Sequence, residues 1–342
     1  MKKIVFLLML AALAAVAGVT MSSARVATPA SALLENLPDG TAVALIDFQK
    51  ITGSSFWTAI NAQDKLKGVF DKAQSEMTDL GVKLSDIRTV AVVFPAGMDN
   101  PTVALNGGFE RDDLLARLRA SGKVKLTSEK YKDFEIFTAK NKIAAVPPKG
   151  DVGTKPDSVK GAKTTTNDET SFVFFDANTL VASNLDGVRA SVDVKTGARP
   201  GITQNAKLTD ALAPNPTAAI RFALAITPAM TSSLQTSEFP IPDFSSVTLI
   251  FGSIDMSSGI DLIATLRSDN AEHAKAISER LNGLLTMAKG FLSAMSDPRI
   301  AGIAEALKTV NIVATDADVR ITGNLPMDLL TSLFSSSTKK DH

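Results

Sequence analysis

The chain of 342 residues contains no cysteine. Disulfides, thiolate metal sites and cysteine nucleophiles are thereby excluded. Stability has to come from an ordinary apolar core, because a small stapled scaffold is not available. Aromatic residues make up 6%, with one Trp and one Tyr, which leaves little material for stacking on sugars or bases. The two histidines, His273 and His342, lack a second imidazole at ligand spacing, so no zinc site is expected. A Ser-His-Asp triad would have to use His273, and no Gly-x-Ser-x-Gly elbow accompanies it. No Gly-rich phosphate loop with a following Lys-Ser/Thr and no dinucleotide fingerprint is present; Gly107-Gly108 reads as a tight turn. Charge of one sign is missing too. With 36 basic and 36 acidic residues, the chain lacks the field of a nucleic-acid binder.

Residues 1–32 are the most informative stretch. Met1-Lys2-Lys3, an apolar run from Ile4 to Val19 and a small-residue stretch ending Thr28-Pro29-Ala30-Ser31-Ala32 form the three-part layout of a secretory signal peptide. The run is shorter than the roughly 20 residues a helix needs to cross a bilayer. Cleavage is expected after Ala24 or after Ala32, releasing the chain to the periplasm or the medium. The alternative is an inner-membrane anchor through residues 4–19, and membrane contact is expected only if that segment is retained. A lipoprotein anchor is closed, since no cysteine follows the apolar segment.

The remaining chain describes one plan twice. Leu37-Pro38-Asp39-Gly40-Thr41 opens a strand running to Phe48, and Ala213-Pro214-Asn215-Pro216-Thr217 opens one running to Ile226. Ile87 to Phe94, a turn at Gly97 to Asn100, Thr102 to Asn106 and a helix start at Phe109 to Leu115 read as strand, turn, strand, helix. At an offset of 157 residues, Phe244 to Phe251, Ser257-Ser258-Gly259, Ile260 to Leu266 and Ser268-Asp269-Asn270-Ala271 repeat that order. An Asp or Asn near each helix start is expected to cap it. Ser171 to Val181 and Asn311 to Ile321 are matching hairpins, turning at Asp176-Ala177-Asn178 and Asp316-Ala317-Asp318 and leading into helices at Asp186 to Val194 and Pro326 to Phe334.

Helical stripes accompany the strands. Phe56, Trp57, Ile60, Leu66, Val69, Phe70, Met77 and Leu80 form one. Ala271, Ala274, Ile277, Leu281, Leu284, Leu285, Ala288 and Leu292 form a longer one, and Ile300, Ile303, Ala304 and Leu307 follow the Asp297-Pro298 break. Such stripes cover a sheet face, or line a cavity against it. The expectation is an α+β fold of two similar repeats, each an antiparallel sheet covered by amphipathic helices: 33–205, with a polar mobile insertion at 147–170, and 206–334, followed by a polar tail at 335–342. Gln235 to Pro242 reads as a further surface crossing.

The Leu-Pro-Asp-Gly-Thr opener at 37–41, Phe-Phe-Asp-Ala-Asn-Thr-Leu-Val-Ala-Ser at 174–183 and Val319 to Pro326 resemble uncharacterised exported bacterial proteins with paired α+β repeats. The resemblance spans nearly the whole mature chain and implies no functional residue.

Chemistry is sparse. Ser268-Asp269-Asn270 and Lys195-Thr196-Gly197 match penicillin-binding triplets by chance, because the Ser-x-x-Lys candidates, Ser336 to Lys339 and Ser337 to Lys340, lie in the tail and in the wrong order. Asp316-Ala317-Asp318 is too sparse for a calcium loop. No catalytic, cofactor-binding or metal-ligating residue is assigned, and no cofactor is expected. The leading expectation is a non-enzymatic binding or structural protein of the bacterial cell envelope, whose partner is an envelope protein or an apolar small molecule. The first alternative is a periplasmic carrier of an apolar ligand such as lipid, with Phe70, Met77, Met287 and Phe291 lining its cavity. The second is a hydrolase in which Asp176, Asp316, Glu129, Glu135 or Asp255 converge.

Overall fold

The computed structural model describes residues 30–61, 86–141 (except 109 and 123), 169–231 (except 229), 244–294 and 298–329. Residues 1–29 of the stretch read as a signal peptide (1–32), the stripe beyond residue 61, residues 142–168, the crossing at 235–242 and residues 330–342 lie outside the described residues. Of the insertion expected at 147–170, Glu169 and Thr170 are described and begin a strand.

Twelve strands form one antiparallel sheet among the described residues. In chain order they are β1 (Ala42–Asp47), β2 (Ile87–Phe94), β3 (Thr102–Gly107), β4 (Val124–Tyr131), β5 (Phe134–Asn141), β6 (Glu169–Phe174), β7 (Thr179–Ser183), β8 (Ile220–Ala225), β9 (Val247–Asp255), β10 (Gly259–Ser268), β11 (Asn311–Thr315) and β12 (Asp318–Pro326). Their spatial order is β11-β12-β10-β9-β8-β1-β2-β3-β7-β6-β5-β4. The helices are a 3-10 helix at Ala30–Asn36, α1 (Phe48–Thr52), α2 (Ser55–Asn61), α3 (Arg111–Ala120), α4 (Leu185–Lys195), α5 (Ala206–Leu212), α6 (Ala271–Ser293) and α7 (Pro298–Lys308).

Two separate sheets were the expectation; the structure joins them. β1 and β8 pair antiparallel from Ala42 opposite Leu224 to Ile46 opposite Ile220. Both strands are short and apolar, and pairing leaves neither with an open row of backbone donors and acceptors. On one side of this junction the order is β1-β2-β3-β7, and on the other β8-β9-β10-β12. The β2–β9 correspondence also shifts. Buried Ile87, Thr89, Ala91 and Val93 answer to buried Val247, Leu249, Phe251 and Ser253, three residues on from the correspondence in sequence. An odd shift exchanges the two faces of a strand, so only this alignment preserves the core side.

Each strand sends alternate residues to opposite faces. Val43, Leu45, Ala91, Val93, Ala104, Ile136, Val173, Val181, Ala223, Leu249 and Phe251 point to the first face, where the 3-10 helix, α4 and α5 cover them with Leu33, Leu37, Val188, Val192, Leu208 and Leu212. Ile46, Val90, Val103, Leu105, Phe137, Phe172 and Leu180 point to the second, beneath α1, α2 and α3. Double cover explains β3, buried at all six positions and not alternating. Its polar members are bonded: Thr102 donates to Ser183 Oγ at 3.3 Å, and Asn106 to the Asn178 carbonyl at 3.2 Å. In the other half α6 packs Ala274 and Ile277 on Leu266 and Val319, again on the second face.

Helix starts divide. Asn270 caps α6 by accepting from the His273 N–H at 2.9 Å, as expected. The N-cap of α3 is Glu110, whose side chain makes no capping bond; Asp112 and Asp113 in its first turn instead face the positive end of the helix. Asn184 caps α4 through Gly187 N–H at 2.8 Å.

The β4–β5 hairpin is clamped to α4 by Asp193, which is ion-paired with Lys132 and accepts from the Tyr131 hydroxyl at 3.1 Å. The hydrogen bond from Lys132 holds the Asp193 carboxyl below its ordinary pKa. Its contribution is therefore present above the unfolded value and lost as pH falls through the folded one. Asp193→Asn is expected to cost a few tenths to about 1 kcal/mol in urea unfolding at pH 7. At a pH below the carboxylate range wild type and variant should coincide.

Candidate functional site

The second face of the sheet changes character at the junction of the halves. Residues opposite one another on neighbouring strands share a face, so the ladder register gives its rows. One row runs Ile46, Ile220, Ile254, Leu262, the next Ala44, Phe222, Gly252, Ala264, Ile321, and the third Ala42, Leu224, Ile250, Leu266, Val319. Val92 and Phe94 of β2 flank Ala44 and Ala42. Ile46 at one corner is buried under α1 and α2, and Leu266 and Val319 at the other are buried under α6. Between them Ile220, Phe222, Leu224, Ile250, Ile254, Ala264 and Ile321 are half-buried, and Leu262 is 36% exposed.

The middle row is low. Gly252 and Ala264 lie between the larger pairs Ile254–Leu262 and Ile250–Leu266, with Phe222 closing one end and Ile321 the other. The result is a shallow apolar groove across β9 and β10. Gly252 is dictated by backbone approach, since a Cβ there would stand 2.1 Å from the Ile263 carbonyl oxygen. From β1 to β10 the strip is roughly 14 Å wide, and from Ile220 to Leu224 roughly 13 Å long. Covering about 200 Å² of it would contribute about 5 kcal/mol. Alone that corresponds to a dissociation constant of a few tenths of a millimolar. Submicromolar binding requires a second apolar wall.

The stripe of α6 supplies apolar surface next to this face. Ala274 and Ile277 are buried, whereas Leu281, Leu284, Leu285, Ala288 and Leu292 are half-buried; Ala271 is exposed. Met287 and Phe291 are each 64% exposed. They are therefore accessible apolar groups, not walls of a closed cavity. Their expected companions Phe70 and Met77 lie outside the described residues.

The five carboxylates named above are not brought together into a hydrolytic site. Glu129 is held by the Arg189 guanidinium, two bonds at 3.0 Å, on the α4 side of the sheet. Glu135 pairs with Arg111 at 2.7 Å on the α3 side. The turns carrying Asp176 and Asp316 belong to β6–β7 and β11–β12. Seven strand spacings between β7 and β12 separate them by roughly 34 Å. Asp176 Oδ1 accepts from Asn178 N–H at 2.7 Å, and Asp318 is paired in bidentate fashion with Arg267 at 2.8 and 2.9 Å. Asp255 is held below its ordinary pKa by the Ser257 hydroxyl and N–H, a turn role at the end of β9. His273 hydrogen-bonds Asp269 at 2.7 Å on an exposed helix start, and this bond lowers the Asp269 pKa. Ser268 and Asn270 serve the same strand end and cap, and Lys195-Thr196-Gly197 ends α4. Among the described residues no group of three or more His, Asp or Glu is placed to hold a metal ion. No described helix is long and apolar enough to cross a membrane.

No protein-family model matches the chain, and no curated protein matches it. The fold does have a broad, weak likeness among solved structures. Crystal form III of TP0453 aligns at 10% identity over 89% of this chain and 97% of that one, with a TM-score of 0.49. Crystal form I of TP0453 aligns at 9% identity over 91% and 97%, with a TM-score of 0.45.

Proposed function

We propose that this chain is an exported, non-enzymatic protein that binds and carries an apolar ligand such as a lipid on the second face of its sheet. The observation that carries the reading is the groove over Gly252 and Ala264, rimmed by Ile254, Leu262, Ile250 and Phe222. Monomeric proteins cover such sheet centres or use them. The even charge balance and the scattered, individually paired carboxylates favour this reading over a hydrolase. The direct test is to recover the mature protein gently after export from a Gram-negative host and measure its intact mass under native conditions. A tightly held extra mass that denaturation releases as lipid supports the reading; a ligand-free chain that also fails to take up lipid from vesicles contradicts it.

The same proposal treats the chain as an internal duplication with a boundary near residue 205. In its favour, the 3-10 helix at Ala30–Asn36 and α5 each precede a proline turn and a junction strand, and both pack on the first face. A signal peptide cut after Ala24 is part of it. Leu33 is fully buried and Leu34 nearly so within that 3-10 helix, so a cut after Ala32 would remove its first turn. N-terminal sequencing of the exported protein is expected to begin at Arg25. A start at Leu33 would contradict this.

A further inference from the structure

The opposite face of the junction holds a second, polar pocket. It measures about 330 Å³ and is lined by Ser31, Leu45, Asp47, Lys50, Pro216 and Arg221, together with Ala218 and Ala219. Arg221 stands on β8 opposite Leu45, in the middle of the sheet, where a charged side chain is rare. Its guanidinium carries five N–H groups, and one hydrogen bond is made, to the Leu212 carbonyl at 3.1 Å. Among the described residues no carboxylate lies within ion-pair distance of it. The nearest candidate, Asp47, is engaged elsewhere: its Oδ1 accepts from the Lys50 N–H at 3.1 Å, and its Oδ2 lies 3.4 Å from Lys50 Nζ. The pocket therefore contains two cations and one carboxylate.

We infer that this pocket binds a small oxyanion, a carboxylate or phosphate group, with Arg221 as its principal partner and Lys50 as a second cation. A half-buried guanidinium with spare donors and no carboxylate in ion-pair contact is costly. The planar fork matches the two oxygens of either group. Burial lowers the Arg221 pKa and the charge of Asp47 opposes it only in part, the direction expected of a cation without a full partner. Arg221 and Leu45 stand on the face away from the apolar groove, and the pocket, which reaches Lys50 of α1 at the strand ends, contains none of the groove residues.

The test is a titration of the mature protein with inorganic phosphate and, separately, with succinate at constant ionic strength, followed by the NMR shifts of the backbone N–H groups of residues 45–50 and 219–222, which are present in wild type and variants alike. Saturable shifts absent with chloride are expected. Arg221→Met should weaken binding by about tenfold or more, the loss of one charge-assisted pair. Lys50→Gln, at an exposed position, should weaken it by about threefold and keep the fold; it decides the question if Arg221→Met does not fold. A repeat with lysophosphatidate below its micellar concentration separates the sources. Binding of phosphate or succinate identifies a free-anion site, and binding of the amphiphile alone identifies a headgroup site. No saturable shift with any of the three, or affinity unchanged in both variants, overturns the inference.

Discussion

Truncation of Phe137 to alanine is expected to destabilise the protein by about 3–5 kcal/mol. The ring is 2% exposed on β5. It stacks on Phe172 of β6 with centroids 5.5 Å apart and planes 23° apart, and the Arg111 guanidinium lies 5.4 Å above it. Removing it leaves a cavity between two strands and α3 that the paired backbone cannot close. The melting temperature should fall by roughly 5–8 °C for a single cooperative unit of this size. Phe291, on the exposed part of α6, gives the contrast. Phe291→Ala should change stability by no more than about 0.5 kcal/mol. Equilibrium urea unfolding of both variants checks the pair. A loss below 1 kcal/mol at Phe137 would mean that the β5–β6 ladder is not packed on α3 as described.

Leu262→Glu is expected to weaken binding of an acyl probe about tenfold to a hundredfold while leaving the fold intact. Leu262 rims the groove beside Ile254 and is 36% exposed, so the carboxylate can reach water in the free protein. A bound alkyl chain would bury it, forfeiting the roughly 1.5–3 kcal/mol of apolar contact that leucine provides. The ion would also lose water without a partner. Val313→Glu supplies the control. Val313 is 46% exposed on the edge strand β11 and points, by register with Arg320, away from the groove face. Fluorescence titration with a fatty-acid probe should show the loss at position 262 and none at 313. Equal losses, or none, would remove the groove from the binding site.

The strands were legible because alternation, proline turns and polar hairpin tips are local signals. Thr102 to Asn106, Ser171 to Val181 and Asn311 to Ile321 lie where strands stand. What joins them was not legible. Pairing of β1 with β8 links residues far apart in sequence, and nothing in Ala42–Asp47 names Ile220–Ala225 as its neighbour. The β2–β9 correspondence slipped because a resemblance of residue types does not record face; both halves break their ladder register at the equivalent point, between Ile87 and Thr89 and opposite Val247 and Leu249. The groove escaped for a similar reason. Gly252 and Ala264 signal a low floor only once the ladder puts them side by side. Arg221 in an apolar strand was the readable clue to the opposite pocket, since a lone cation at a central position needs a reason. Conversely Asp176, Asp316, Glu129, Glu135 and Asp255 are ordinary carboxylates in turns and pairs, and composition alone could not separate them.

The most direct test of the binding face is covalent mapping. The mature protein is loaded with a fatty acid carrying a diazirine on its alkyl chain, irradiated, digested and sequenced by mass spectrometry. Adducts concentrated on residues 220–225, 250–255 and 260–266, and competed by unlabelled fatty acid, are the predicted result. Adducts confined to the outer strands β4 and β5, or labelling that unlabelled ligand does not reduce, would contradict the account.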